Sequence, residues 1–315
     1  MPQVKLSVII PTYNRKAILK KALEAYIGQT ARDEILEILV VDDGSADGTE
    51  EVVSEFARRA PVPIRRLQQE NSGLAAARNH GIREARGELV LFTDDDIIPA
   101  PNMVAEHLAW HQKYPDPKTG VLGNVPYSPE VNPTPFQQWW GLDGMRFHPP
   151  HMYPGKGLSF WLMLFCNTSL KREFLGEVGF FDENFRTFGF EDLDFGYEVV
   201  KRGGRVLFNP DAVAYHHKRV TFSDAVRLHQ KNALSYRHFL TKESGTMLAE
   251  LEEKWEKFPR HRIKVVLARY IVPVLSPLKP ILDSQIPLPG QLYDLFYQHY
   301  ALTKREQSKL KRISG

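Results

Sequence analysis

With 315 residues, 43% of them hydrophobic and 25% charged, the chain has the composition of a soluble globular protein, long enough to bury a real core as one large domain or two ordinary ones. A formal net charge of +3, with no arginine-rich or zinc-finger pattern, argues against nucleic acid as a partner. The single cysteine, Cys166, excludes an internal disulfide framework, fits a reducing compartment and, next to the apolar run Phe160 to Phe165, reads as a small buried hydrophobe.

The first hundred residues alternate strand and helix signals. Val4 to Ile10 reads as a strand, too short for the apolar core of a signal peptide and running straight into a Pro-Thr-Tyr-Asn turn. Leu19, Ala22, Leu23, Tyr26 and Ile27 then fall on one face of a helix by their three- and four-residue spacing. Ile35 to Val41 predicts a second strand, ending in Asp42-Asp43-Gly44-Ser45. Val52, Val53 and Phe56 stripe a second helix, Ile64 to Leu67 is a brief third strand, and Ser72 to Ala85 a third helix. Leu89 to Thr93 completes a βαβαβαβ order, which predicts a mostly parallel, Rossmann-like sheet flanked by helices with right-handed crossovers.

Beyond Pro99 the rhythm changes. Residues 126–157 are rich in proline, glycine and aromatics with no sustained period, the composition of a functional loop that orders over a ligand and excludes water. Phe195 to Arg202 predicts a helix stopped by Gly203-Gly204, and Arg205 to Phe208 and Ala212 to Tyr215 predict two strands. From Thr221 onward the pattern is helical, then proline-broken, then basic.

The chemistry begins where Leu89 to Thr93 ends abruptly in Asp94, Asp95 and Asp96. Open α/β sheets bind ligands at the carboxyl ends of their strands. Adjacent carboxylates repel, so a compact fold keeps three together only with a cation nearby. Mg²⁺ or Mn²⁺ suits oxygen donors and shares them with substrate phosphates. Two further loops follow strands: Pro11-Thr12-Tyr13-Asn14-Arg15 and Asp42-Asp43-Gly44-Ser45. Neither carries a G-x-G-x-x-G or GK[ST] phosphate loop, yet Tyr13 offers a flat face for a base and Asp43 an acceptor for a base N–H.

Taken in order, PTYNR, LVVDDGSADGT, NSGLAAARNHGI and LFTDDD resemble the nucleotide-sugar half of the family 2 glycosyltransferases of GT-A fold, over roughly residues 4–220. The resemblance implies a donor site in which Pro11, Thr12, Tyr13, Arg15 and Asp43 line the nucleotide pocket and Asp95 sits by the ribose. It also implies that Asp94 and Asp96 hold the metal on the diphosphate, with His216 as a third ligand or, alternatively, a plain surface histidine. Arg78 lies in the family's ARN segment and either approaches the diphosphate or makes a salt bridge on the helix surface.

A second acidic group, Glu191-Asp192 in FGFEDLDFGYEVV, opens a predicted helix, where the helix dipole alone accounts for carboxylates. By the resemblance, Asp192 is the catalytic base beside the acceptor hydroxyl and Glu191 its neighbour, with Asp194 structural. The implied architecture is a GT-A domain over 1–220, with a nucleotide-sugar half (1–100) and an acceptor half (101–220). A helical, proline-broken C-terminal extension (221–315) follows.

The implied activity is inverting transfer of a single sugar from a nucleoside diphosphate sugar, UDP favoured, to a glycan or lipid-linked acceptor in cell-surface polysaccharide or glycolipid assembly. Processive synthesis is disfavoured, because Gln137-Gln138-Trp139-Trp140 is not the Q-x-x-R-W motif. The rivals are a metal-dependent phosphotransferase, which needs an aspartate nucleophile where Pro11-Thr12 stands, and an inactive nucleotide-sugar-binding subunit. Val265 to Leu282 contains Arg269, Lys279 and three prolines and makes a poor membrane span. The expectation is therefore a cytoplasmic protein. Leu288, Leu292, Tyr293, Leu295, Phe296 and Tyr297 beside the basic tail Lys304, Arg305, Lys309, Lys311 and Arg312 read either as ordinary helix packing or as a peripheral anchor on the inner membrane face.

Overall fold

A computed structural model describes residues 4–141, 153–186, 189–247 and 276–296. Its centre is an eight-stranded sheet in the order β3-β2-β1-β4-β7-β6-β8-β5. The first half follows the hydrophobic alternation closely: β1 (Leu6–Thr12), α1 (Lys16–Ile27), β2 (Ile35–Asp42), α2 (Thr49–Arg59), β3 (Ile64–Gln68), α3 (Leu74–Glu84) and β4 (Leu89–Thr93). β1 pairs in parallel with β2 and β4, and β2 with β3. β1 and β4 are thus neighbours at the point where strand order reverses, which is where such sheets open a crevice. β1, β2 and β4 are largely apolar because both faces are covered, whereas β3 at the sheet edge reads Ile-Arg-Arg-Leu-Gln. One face packs Leu19, Leu23 and Tyr26 of α1 with Val53 and Phe56 of α2, and the other packs Ala75 and Ala77 of α3 with Phe92, Phe165 and Phe195.

The second half holds β5 (Ile97–Pro99), α4 (Met103–Lys113), β6 (Thr119–Asn124), α5 (Pro135–Trp140), β7 (Asn167–Lys171), α6 (Arg172–Val178), α7 (Glu191–Lys201), β8 (Arg205–His216), α8 (Phe222–Lys231) and α9 (Ala233–Phe239). β7 runs antiparallel to both β4 and β6, and β5 antiparallel to β8, so the sheet is mixed on this side. The two strands expected at 205–208 and 212–215 are one strand. Its pairing with β6 jumps from Asn209 to Val213, a bulge in which Asn209 Oδ1 accepts from the Asp211 N–H at 3.0 Å. The expected irregular stretch is partly regular: Thr134 caps α5 by accepting from Gln137 N at 3.2 Å. Residues 142–152 lie outside the described residues.

The C-terminal apolar stretch packs rather than projecting. Leu282, Tyr293 and Phe296 are buried against Phe136 of α5 and Phe222 and Val226 of α8. Tyr297 and the basic tail lie outside the described residues. Among the described residues no helix is long and apolar enough to cross a membrane.

A buried polar cluster ties α4 to β7. Asn167 Nδ2 donates to Ala212 O at 2.9 Å, so its Oδ1 is free to accept from His107 Nε2 at 3.0 Å. His107 Nδ1 then accepts from Ser169 Oγ (2.8 Å), which in turn accepts from His111 Nε2 (2.8 Å). Burial pushes His107 down to about 4 and His111 down to about 3. Below pH 6.5 the unfolded chain binds these protons and the folded one does not. The stabilisation is therefore complete above about pH 6.5, falls progressively below it, and is fully lost once pH has fallen through about 4 for His107 and about 3 for His111. Unfolding by urea is expected to require about 2 kcal/mol less per histidine at pH 5.0 than at pH 7.5. The double variant His107→Gln/His111→Gln is expected to flatten that slope. An equal slope in both proteins contradicts the assignment.

Candidate active site

The carboxyl ends of β1, β2 and β4 and the start of α7 face one cavity of about 950 Å³. All twelve site residues expected from the sequence line it: Pro11, Thr12, Tyr13, Arg15, Asp43, Arg78, Asp94, Asp95, Asp96, Glu191, Asp192 and His216. Residues separated by more than two hundred positions, Pro11 and His216, meet because β1 and β4 are neighbours and the far end of β8 returns beside Asp96.

The loops after β1 and β2 are locked together, with Asn14 N–H donating to Ser45 Oγ and Ala46 N–H to Asn14 Oδ1. Asn14 sits at φ 53°, in the left-handed region asparagine tolerates, and this turn leaves Tyr13 exposed at the cavity rim. Asp43 is nearly buried. Its Oδ1 accepts from Ser72 N–H and Gln69 Nε2 at 2.8 Å each, and its Oδ2 accepts from Gly73 N–H at 2.9 Å. Gly73 adopts φ 92°, which only glycine holds without strain, and so starts α3 against this carboxylate. One remaining lone pair of Asp43 suffices for a base N–H.

The three aspartates have three different surroundings. Thr12 Oγ1 donates to Asp95 at 2.8 Å, and Arg15 reaches Asp95 Oδ1 and Asp96 Oδ2, both at 2.7 Å. Burial pushes the Asp95 carboxyl up to about 7 despite Arg15. For Asp96, burial is outweighed by His216 and Arg15, which hold its carboxyl well below the usual range. Asp94 turns the other way and accepts from Arg78 Nη2 at 3.1 Å.

Arg78 does not make the surface salt bridge considered as an alternative. It is 1% exposed and stands over the Phe181 ring. From there it spans the cavity floor, with Nη2 on Asp94 and the Phe165 carbonyl, and Nη1 2.6 Å from Asp192 Oδ1 and 3.9 Å from Glu191. Burial works against its charge, but Asp192, Asp94 and Glu191 together raise its pKa above the arginine norm. Asp192 Oδ2 accepts from Phe165 N–H at 3.1 Å, so both its oxygens are oriented. Glu191 is buried, and its Oε2 has no partner among the described residues. Burial, with Asp192 alongside, pushes its carboxyl well above the usual range. Asp194 points away to Ser244 and Lys242.

His216 stacks on Tyr127 and places Nε2 3.5 Å from Asp96 Oδ2, too far for a firm hydrogen bond, while its buried Nδ1 has no partner among the described residues. Among the described residues no three acidic, histidine or cysteine side chains form a ready-made metal cage. A carboxylate and an imidazole side by side on a cavity nonetheless suit an ion that takes its other ligands from phosphate and water. The donor set therefore fits Mn²⁺ or Mg²⁺ at Asp96 and His216, with Asp94 committed to Arg78.

The sequence reading did not single out Trp161, Tyr127 and the α8 residues as lining this cavity. The helical period of Asp224, Arg227, Leu228 and Lys231 was the available signal for α8, and nothing periodic marks Trp161.

The family described as "Glycosyl transferase family 2" matches residues 7–188. Validoxylamine A glucosyltransferase of Streptomyces hygroscopicus subsp. limoneus is 34% identical over 230 residues, covering 63% of this chain and 48% of the relative. Chondroitin synthase of Pasteurella multocida (strain Pm70) is 28% identical over 238 residues, 68% of this chain and 25% of the relative. Among solved structures, S. aureus TarS 1-349 in complex with UDP-GlcNAc has a TM-score of 0.58 at 18% identity, covering 96% of this chain and 92% of that one. The mannosyltransferase PcManGT from Pyrobaculum calidifontis, in complex with GDP-Man and Mn²⁺, has a TM-score of 0.57 at 21% identity over 99% and 76%. The chain belongs to glycosyl transferase family 2 and has the GT-A type α/β fold. It spans between about half and two thirds of the length of the first curated relatives.

Proposed function

We propose that this chain is an inverting glycosyltransferase that moves a single sugar from a nucleoside diphosphate sugar, UDP favoured, to an acceptor hydroxyl in polysaccharide or glycolipid assembly. One observation supports this most: Arg78 joins the carboxylates at the end of β4 to the Glu191-Asp192 pair across a single cavity. The nucleoside lies along Pro11, Thr12, Tyr13 and Asp43, with Asp95 by the ribose and Arg15 free to turn from Asp96 to the diphosphate. Asp192 takes the acceptor hydroxyl's proton as its oxygen bonds to the anomeric carbon. The bond from that carbon to the diphosphate breaks on the opposite face, and the nucleoside diphosphate leaves with the electron pair. Asp96 and His216 would hold a divalent ion, which would supply neutralisation of the charge gathering on that leaving group.

Residues 1–220 carry this chemistry in the proposal. Residues 221–247 and 276–296 complete the acceptor side, and the protein works in the cytoplasm or at the inner membrane face. Purified protein is expected to release nucleoside diphosphate from at least one member of a UDP-, GDP- and dTDP-sugar panel. Excess chelator is expected to abolish release, and Mn²⁺ or Mg²⁺ to restore it. Asp96→Ala is expected to stay folded and lose metal-dependent donor binding. Undiminished turnover in chelator removes the ion from the scheme, and release of inorganic phosphate instead returns the chain to the phosphotransferase reading.

A further inference from the structure

The wall opposite the aspartates is basic. Asp224, Arg227, Leu228 and Lys231 of α8 all line the cavity, and their three- and four-residue spacing places them on one helix face. The opposite face of α8 is fixed by burial of Phe222, Ala225 and Val226 in the C-terminal apolar cluster, so the orientation of the helix is set by packing. The loop before α8 adds Lys218 and Arg219 to the same cavity.

Charge is distributed unevenly between floor and wall. On the floor, Arg15 is paired with Asp95 and Asp96, and Arg78 with Asp94 and Asp192. On the wall, only Arg227 has a carboxylate partner among the described residues: Asp224, at 2.6 Å, which also accepts from Thr221. Among the described residues Lys218, Arg219 and Lys231 have no carboxylate partner. Lys218 and Arg219 follow His216-His217 and so lie on the diphosphate side.

The other end of α8 lies elsewhere. Asn232, next to Lys231, packs so closely on Gly189 that a Cβ there would come within 2.6 Å of its Nδ2, and Gly189 leads into Glu191-Asp192. Asn232 also lines the cavity and keeps a buried Oδ1 with no donor among the described residues, a vacant acceptor for a hydroxyl. Arg227 and Lys231 therefore border the acceptor side of the cavity.

We propose that the acceptor is anionic: it carries a phosphate or a carboxylate that pairs with Arg227 and Lys231 while its hydroxyl meets Asp192. A positive wall attracts such a ligand, fixes its register and penalises an uncharged competitor. This inference rests on the glycosyl-transfer reading and specifies its acceptor.

The test holds the protein saturated with Mn²⁺ and the nucleoside diphosphate it binds, and titrates glycerol 3-phosphate, a uronate-containing tetrasaccharide and uncharged chitotetraose. At least one anionic probe is expected to bind more tightly than chitotetraose, with affinity falling as salt rises. Whichever anion binds names the group. Arg227→Gln/Lys231→Gln is expected to weaken that binding about tenfold or more while leaving nucleoside diphosphate affinity unchanged. Lys231→Gln alone is expected to lose several-fold, which keeps the test decisive if the double variant folds poorly. Equal binding of chitotetraose, or unchanged anion binding in the variants, overturns the proposal. So does capture of phosphatidylglycerol vesicles that the double variant loses while no soluble probe binds, which assigns the face to a membrane. Absence of any nucleoside diphosphate binding in the wild type is a different failure, since it removes the glycosyl-transfer reading itself.

Discussion

Replacing Arg78 by methionine is expected to lower the free energy of unfolding by about 3–5 kcal/mol, the range for removing one partner of a buried ion network. Arg78 is 1% exposed, and three carboxylates depend on it, with Glu191 buried and Asp192 and Asp94 only slightly open to the cavity. Methionine fills the space over Phe181 but leaves like charges facing each other. They can relax only by taking up protons or by separating, and either one dismantles the cavity floor. Arg78→Lys keeps the charge, but a single ammonium cannot span Asp94 and Asp192 as the two guanidinium nitrogens do, so an intermediate loss is expected. Urea unfolding of the three proteins at pH 7.5 reads this directly. Wild-type stability in Arg78→Met contradicts the picture of Arg78 as the group that holds both carboxylate clusters.

Much of the donor side is written locally in the sequence, which is why it was legible. β1, β2 and β4 are largely apolar runs with helices of three- and four-residue period along this half, and β4 stands where Leu89 to Thr93 placed it. The loops after these strands carry their chemistry within a few residues, so Tyr13, Asp43 and Asp94 to Asp96 stood out before any contact was known. The second half is different because its order depends on distant partners. β6 reads Thr-Gly-Val-Leu-Gly-Asn, a weak strand by propensity. Its glycines answer to close packing, since a Cβ at Gly120 would lie 2.3 Å from Leu170 Cδ2 and one at Gly123 would lie 2.2 Å from Ala212 O. β7, Asn-Thr-Ser-Leu-Lys, looks like a turn. It is a buried strand because His107 and His111, about sixty residues earlier, satisfy Asn167 and Ser169.

Arg78 shows the same limit at the site. Its helix position is evident from the sequence, but the small residues Ala75, Ala76 and Ala77 beside it give no sign of a partner more than a hundred residues later. The aromatic C-terminal stretch had two readings of similar plausibility. Contact with Phe136 and Phe222 decides for packing as far as Phe296.

The central claim is that Asp192 is the base of sugar transfer in this cavity. Arg78 and the Phe165 N–H orient its two oxygens, and its side chain is 15% exposed, toward the acceptor side. Glu191, by contrast, is buried and held toward its neutral form, so glutamine reproduces its state closely. Asp192→Asn preserves size and removes basicity. The deciding measurement is the single-turnover rate of sugar transfer for wild type, Asp192→Asn and Glu191→Gln, with donor affinity measured by titration on the same preparations. Asp192→Asn is expected to lose about 10²–10⁴ in rate with donor affinity nearly unchanged, and Glu191→Gln to lose much less. A dead Glu191→Gln beside an active Asp192→Asn reverses the assignment, and full activity in both removes the base from this pair.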